Sequence, residues 1–74
     1  EFGPIPAEFK QDITVSGGIL SNERTTVKGY LYIVSGSCIV DGITLNKGDG
    51  AELYNETIIP LDNPHILLFE VSSF

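Results

Sequence analysis

Several residue types that carry chemistry or stabilise small folds are scarce in this chain of 74 residues. It has one cysteine, one histidine, no methionine and no tryptophan. A single cysteine cannot form an internal disulfide, and one cysteine with one histidine is too few for a structural zinc cluster. The absence of methionine predicts that Glu1 is not a translation start, and residues 1–3 are interpreted as a cloning remnant or a trimmed end.

Positive charge is also scarce. Four Lys and Arg residues stand against ten Asp and Glu, and the net charge is −6. Phosphate contacts need clustered cations, whereas Lys10, Arg24, Lys28 and Lys47 are scattered, so we expect no nucleic-acid partner. No apolar run approaches the roughly 20 residues that span a bilayer, and no leader pattern indicates secretion. We expect no membrane partner and a cytoplasmic location.

The most informative stretch runs from Tyr30 to Gly50, with the sequence YLYIVSGSCIVDGITLNKGDG. Its centre, Asp41-Gly42, lies between two apolar runs and predicts a two-residue hairpin turn with positive φ at both positions. Side chains alternate along a strand, so this turn predicts four side chains on one face. The predicted pairs are Val40 with Ile43 and Cys38 with Leu45.

The remaining segments predict further strands. Asp12–Leu20 is one, with a bulge or bend at Gly17-Gly18, and His65–Val71 is the last. Ala51–Tyr54 and Thr57–Leu61 are predicted as two strands joined by a turn at Asn55-Glu56.

No window has a sustained helical period, so the predicted fold class is all-β, a small barrel or sandwich of short antiparallel strands. Residues 1–11 contain two prolines and are predicted to be an arm or linker rather than a strand interior. Residues 12–74 are predicted to form a single domain. A domain this small buries only about 60% of its unfolded surface. We therefore expect a homo-oligomer, a dimer, or a second domain that completes the burial.

Few residues are candidates for chemistry. His65 is the only histidine, and Asp49, Glu52 and Glu56 cluster in sequence but are interpreted as a solvated edge, so no metal site is predicted. We predict no catalytic residue and no cofactor, and favour a non-enzymatic role for this chain. The candidate lining of a pocket for a small apolar ligand is Tyr30, Tyr32, Tyr54 and Cys38. The alternative for the tyrosines is a core or interface position, and for the cysteine a buried structural position.

Short motifs resemble the cupin superfamily. They are Tyr32–Ser37, Val40–Gly42, Leu45 and Gly48–Gly50, in the order of the cupin pattern. The Gly-Asp-Gly-Ala corner and the later Leu-Leu-Phe-Glu-Val strand resemble more narrowly the C-terminal domain of pirin-like bicupins, a group that includes quercetinase-like proteins. The resemblance implies a jelly-roll type barrel over about residues 12–71.

The metal chemistry of that superfamily does not transfer to this chain. The position of the family's glutamate ligand is Gly29, residues 21–28 contain no histidine, and the later histidine position is Ala51. Only the family's asparagine is matched, by Asn55. The resemblance implies that metal belongs to the N-terminal domain of such bicupins and that this type of barrel lacks ligands.

The leading hypothesis is therefore a metal-free cupin-like domain that acts as a structural or assembly module. An apolar face containing Leu31, Ile33 and Ile39 is predicted to pack on a partner barrel or a second cupin domain. The alternatives are a small-molecule-binding β-barrel that uses its mouth, and the non-catalytic part of a quercetinase-like dioxygenase.

Overall fold

The computed structural model describes residues 3–5 and 13–71. These residues form seven β-strands and contain no helix, and hence none that could cross a membrane. Two of the strands are long, whereas the sequence predicted only short ones. The strands are β1 (Gly3–Ile5), β2 (Ile13–Ile19), β3 (Arg24–Ser35), β4 (Cys38–Val40), β5 (Ile43–Leu45), β6 (Gly50–Pro60) and β7 (His65–Val71).

All seven strands belong to one antiparallel sheet with the order β1-β2-β7-β3-β6-β4-β5. The all-β prediction is thus confirmed. The predicted hairpin is confirmed as well, with Val40 opposite Ile43 and Cys38 opposite Leu45. Asp41 and Gly42 have φ of 52° and 74°, as a two-residue turn between twisted strands requires.

One face of the sheet encloses the core. Leu20, which follows β2, and Leu45 in β5 come from opposite ends of the sheet yet pack in one cluster, so the sheet is rolled upon itself. Leu31 and Ile33 are fully buried in that cluster. They cannot form the predicted interface, because their side chains point inward. The cluster comprises Leu20, Leu31, Ile33, Cys38, Val40, Leu45, Leu53, Ile58, Ile66 and Leu68.

The predicted turn at Asn55-Glu56 is wrong, because β6 continues through it. Asn55 has φ of 54°, a left-handed conformation that asparagine tolerates better than most residues. Opposite it, β3 pairs Thr26 with Glu56 and Lys28 with Tyr54 in one unbroken register. The alternation of buried and exposed residues reverses in both strands here, so the two strands kink together.

Of the bulge or bend predicted at Gly17-Gly18, the bulge is wrong. β2 pairs with β7 in continuous register from Ile13 to Ile19, although Gly18 has φ of 133°. The register shifts instead between β3 and β7, at Ile33 and Ser35.

Part of the N-terminal segment joins the sheet. Gly3–Ile5 pairs with residues 15–17 of β2 as an edge strand, where a proline is tolerated because one side needs no donor. An edge strand does not conflict with the exclusion of a strand interior, and the assignment of residues 1–11 as an arm or linker stays a prediction. Residues 6–12, which include the predicted domain boundary, lie outside the described residues.

The loop that contains Gly36 packs against the loop that contains Asp62 and Pro64. The Ser37 amide donates to Asp62 Oδ1 over 2.8 Å. Gly36 has φ of 82°, and a Cβ there would lie 2.8 Å from both Asp62 Oδ1 and Pro64 Cα. A glycine is therefore required by backbone conformation and by space.

Candidate functional site

The barrel interior at the family's ligand positions is filled by hydrocarbon and backbone. A Cβ on Gly29 would overlap the carbonyl oxygen of Phe69 on the neighbouring strand. Ala51 pairs with Leu31 and packs against the core cluster. Neither position leaves room or donor atoms for a metal.

The polar group nearest to these positions along the sheet is an ion pair. Arg24 Nη2 donates to Glu70 Oε1 over 2.6 Å, and Thr26 Oγ1 donates to Glu70 Oε2 over 3.2 Å. Thr26 is 1% exposed, so this contact lies at the inner face. Arg24 and Glu70 are 46 residues apart in sequence, and no local pattern in the chain connects them.

These residues do not fit a divalent metal. Within residues 3–5 and 13–71, no group of three His, Cys, Asp or Glu side chains is arranged to hold one. The inward carboxylate of Glu70 is already engaged by a guanidinium, whose positive charge opposes a bound cation. That the barrel lacks a metal centre stays a prediction, which a direct measurement of metal binding would test.

A cavity of about 310 Å³ opens beside the ion pair, at the end of the rolled sheet. Hydroxyl groups, one ammonium and one carboxylate share its walls with two valines. Its lining residues are Thr14, Thr25, Thr26, Val27, Lys28, Glu70 and Val71.

On the outer face, a second groove of about 390 Å³ is almost entirely apolar. Tyr30 and Phe69 form its centre, with ring centroids 6.4 Å apart and ring planes at 55°. The remaining lining residues are Ile13, Lys28, Gly29 and Val71. The two neighbouring strands place these side chains together, because Tyr30 pairs directly with Phe69.

The four residues predicted to line a pocket lie at different places in the described part of the sheet. Tyr30 lies in the outer groove, and Tyr32 lies two residues further along the same face. Tyr54 is 71% exposed, outside the lining of that groove. Cys38 is fully buried on the opposite face, where burial and then the charge of Asp62 raise the pKa of its thiol above 9.0. Ligand binding by these residues stays a prediction.

The acidic residues and the histidine are dispersed. Asp49 Oδ2 accepts from the Asn46 amide over 2.8 Å, so this carboxylate closes the turn before β6. Glu52 and Glu56 line a cleft of about 140 Å³ between β6 and the β4–β5 hairpin. His65 begins β7, opposite Ile19 and Ser35.

One rolled antiparallel sheet around a single apolar cluster defines a cupin-type β domain. More narrowly, the family model of the quercetinase C-terminal cupin domain matches residues 7–71. The chain belongs to that family, and the resemblance noted in the sequence is confirmed. No curated protein and no solved structure gives a significant match.

Proposed function

We propose that this domain is a non-catalytic assembly module that packs through the outer groove at Tyr30 and Phe69 on a partner barrel, either a second copy or a second cupin domain. The observation that carries the proposal is the contrast between the two faces. The interior is occupied at the family's ligand positions, whereas the outer groove presents aromatic and aliphatic surface to solvent.

The chemistry of the groove suits a protein contact. Its tyrosine is 43% exposed, and a half-exposed aromatic ring gains most when a partner covers it. Lys28 also lines the groove and adds a positive charge to it. Protein interfaces commonly have an apolar centre surrounded by polar residues. A small domain without a disulfide also gains stability when a partner buries more of its apolar surface.

The test is the oligomeric state of matched tyrosine variants, measured by sedimentation equilibrium. Wild type is expected to self-associate or to bind a co-expressed sister domain, and Tyr30→Asp is expected to weaken association at least tenfold. Tyr54→Asp is the matched control, because Tyr54 is more exposed and lies outside the groove. Equal association of both variants would show that the groove is not the interface.

The cavity beside the ion pair supports a second candidate function, the binding of a small molecule at the end of the barrel. The Thr14 hydroxyl and Lys28 suit a ligand with hydrogen-bond acceptors and an apolar body. In a screen of small aromatic acids and phenols, at least one compound should raise the melting temperature of wild type, and Thr14→Val should reduce that shift. A shift that persists unchanged in Thr14→Val would contradict binding at this cavity.

A third proposal is that this domain is the non-catalytic part of a quercetinase-like dioxygenase. The domain would then contribute packing, and another domain would supply the metal. Reconstitution with a metal-bearing sister domain would test it, because activity should depend on the Tyr30 groove and not on Glu70.

A further inference from the structure

Much of one edge of β6 has no neighbouring strand among residues 3–5 and 13–71. β4 pairs with Ile58–Pro60 on the side that faces away from β3. No described strand pairs on that side with residues 50–57. The pairing ends there because the chain turns back at Asp41-Gly42 directly after Val40. Backbone amide and carbonyl groups on both sides of the kink at Asn55 therefore point to an open edge.

An apolar cleft lies beside this edge. It has a volume of about 140 Å³, and its walls are Val40, Ile43, Leu45 and Ala51. Ile43 is 61% exposed although its neighbours across the hairpin are buried, so an aliphatic surface remains open here. The cleft has room for one medium-sized aliphatic side chain.

Three carboxylates also line the cleft, those of Asp41, Glu52 and Glu56. None of them forms an ion pair within residues 13–71. An occupant that carries Lys or Arg would therefore meet unneutralised negative charge on a domain whose net charge is already −6.

We propose that the free edge of β6 binds an extended segment of another polypeptide by β-strand addition. One apolar side chain of that segment fills the cleft, and flanking Lys or Arg side chains contact Glu52 and Glu56. Backbone pairing would supply affinity, and the cleft with its acidic rim would supply selectivity. The cleft and the outer groove have no lining residue in common, so the inference does not depend on the assembly proposed above.

Charge argues against a second copy of this chain as the occupant. Antiparallel pairing of two β6 edges would bring Glu52 and Glu56 of one copy close to the same two carboxylates of the other. Like charges directly opposite each other destabilise a strand pair. The same two residues would also protect the edge from uncontrolled pairing, but protection alone does not require the open apolar cleft.

The probe is a fluorescein-labelled octapeptide of alternating valine and lysine, whose binding is followed by fluorescence anisotropy. We expect saturable binding that weakens as salt is added, and little binding of an octapeptide of alternating valine and glutamate. Of two further peptides, one is N-methylated at every valine and the other at every lysine. Each modification removes the amide donors along one edge of the extended peptide. Only one edge pairs with β6, so one of the two peptides should lose at least tenfold in affinity. Full binding of both would indicate adsorption by charge alone and would overturn the proposal.

Variants of the protein locate the site. Glu52→Gln with Glu56→Gln should weaken binding of the valine–lysine peptide by about tenfold, given the modest strength of solvent-exposed ion pairs. Glu23→Gln, an exposed acid outside the cleft, should leave it unchanged. In NMR spectra, the perturbed amides should concentrate in residues 50–57. No binding, or perturbation centred on Tyr30 and Phe69, would refute the assignment.

Discussion

The sharpest test of the packing concerns Gly29, because the space that a methyl group would need there is filled by backbone. A Cβ at this position would overlap the carbonyl oxygen of Phe69 and lie 3.3 Å from Cα of Glu70. β3 cannot withdraw from β7 freely, because on its other side Gly29 is paired with Leu53 of β6. Gly29→Ala should therefore push two paired strands apart.

The expected loss follows from overpacking. Inserting a methyl group into well-packed structure costs about 1–3 kcal/mol. We expect a cost near the upper end of this range, because the atoms nearest to the new Cβ belong to the backbone and not to a flexible side chain. At about 0.05–0.15 kcal/mol per residue the whole domain has roughly 4–11 kcal/mol of stability. A loss of about 3 kcal/mol would lower the melting temperature by roughly 12–24 °C in a domain of this size.

Gly42→Ala is the matched control. Gly42 has φ of 74°, and no atom lies within 4 Å of a Cβ built there, so its cost is conformational and not steric. A left-handed alanine costs about 1–2 kcal/mol. Thermal and urea unfolding followed by circular dichroism and tyrosine fluorescence compare the two variants, since the chain lacks tryptophan. A Gly29→Ala loss equal to or smaller than that of Gly42→Ala would refute the steric account.

Three further predictions concern the interior. Glu70→Gln should lower the free energy of unfolding in urea by about 1 kcal/mol, because the pair with Arg24 is partly exposed; an unchanged midpoint would contradict a stabilising pair. Leu68→Ala should cost about 2–5 kcal/mol in the same assay because it leaves a buried cavity, and a cost below about 1 kcal/mol would contradict its core position. Burial and then the charge of Asp62 raise the folded pKa of the Cys38 thiol, so its stabilising contribution is present below pH 9.0 and lost as pH rises through the folded pKa. Wild type should thus lose more stability than Cys38→Ala over that range, and parallel pH curves would contradict this.

Local turn chemistry made part of the fold predictable. Asp41-Gly42 determined both the turn and the pairing of β4 with β5, because only a few residue types tolerate positive φ at two successive positions. The strand His65–Val71 was likewise evident from its β-branched and aromatic residues and the preceding breaker residues. The family itself could be inferred from short motifs between residues 32 and 71.

The errors arose where tertiary contacts override local signals. Asn55 favours a turn in isolation, yet the pairing of β6 with β3 on both sides of it maintains one strand. Leu31 and Ile33 belong to a run that is apolar on both faces, so the sequence did not indicate which face is covered. The ion pair between Arg24 and Glu70 could not be predicted at all, because the two residues become neighbours only when β3 and β7 pair.

The joint kink of β3 and β6 has a consequence for how the family can vary. Both strands change the direction of their side chains at the same level of the sheet, at Val27 and Asn55. An insertion or deletion of one residue in either strand would turn the side chains of half of that strand to the opposite face of the sheet. Buried side chains in that half would then be exposed, while the partner strand stayed in place. Length changes in these two strands should therefore be tolerated only in compensating pairs, and relatives should differ in length mainly in their loops.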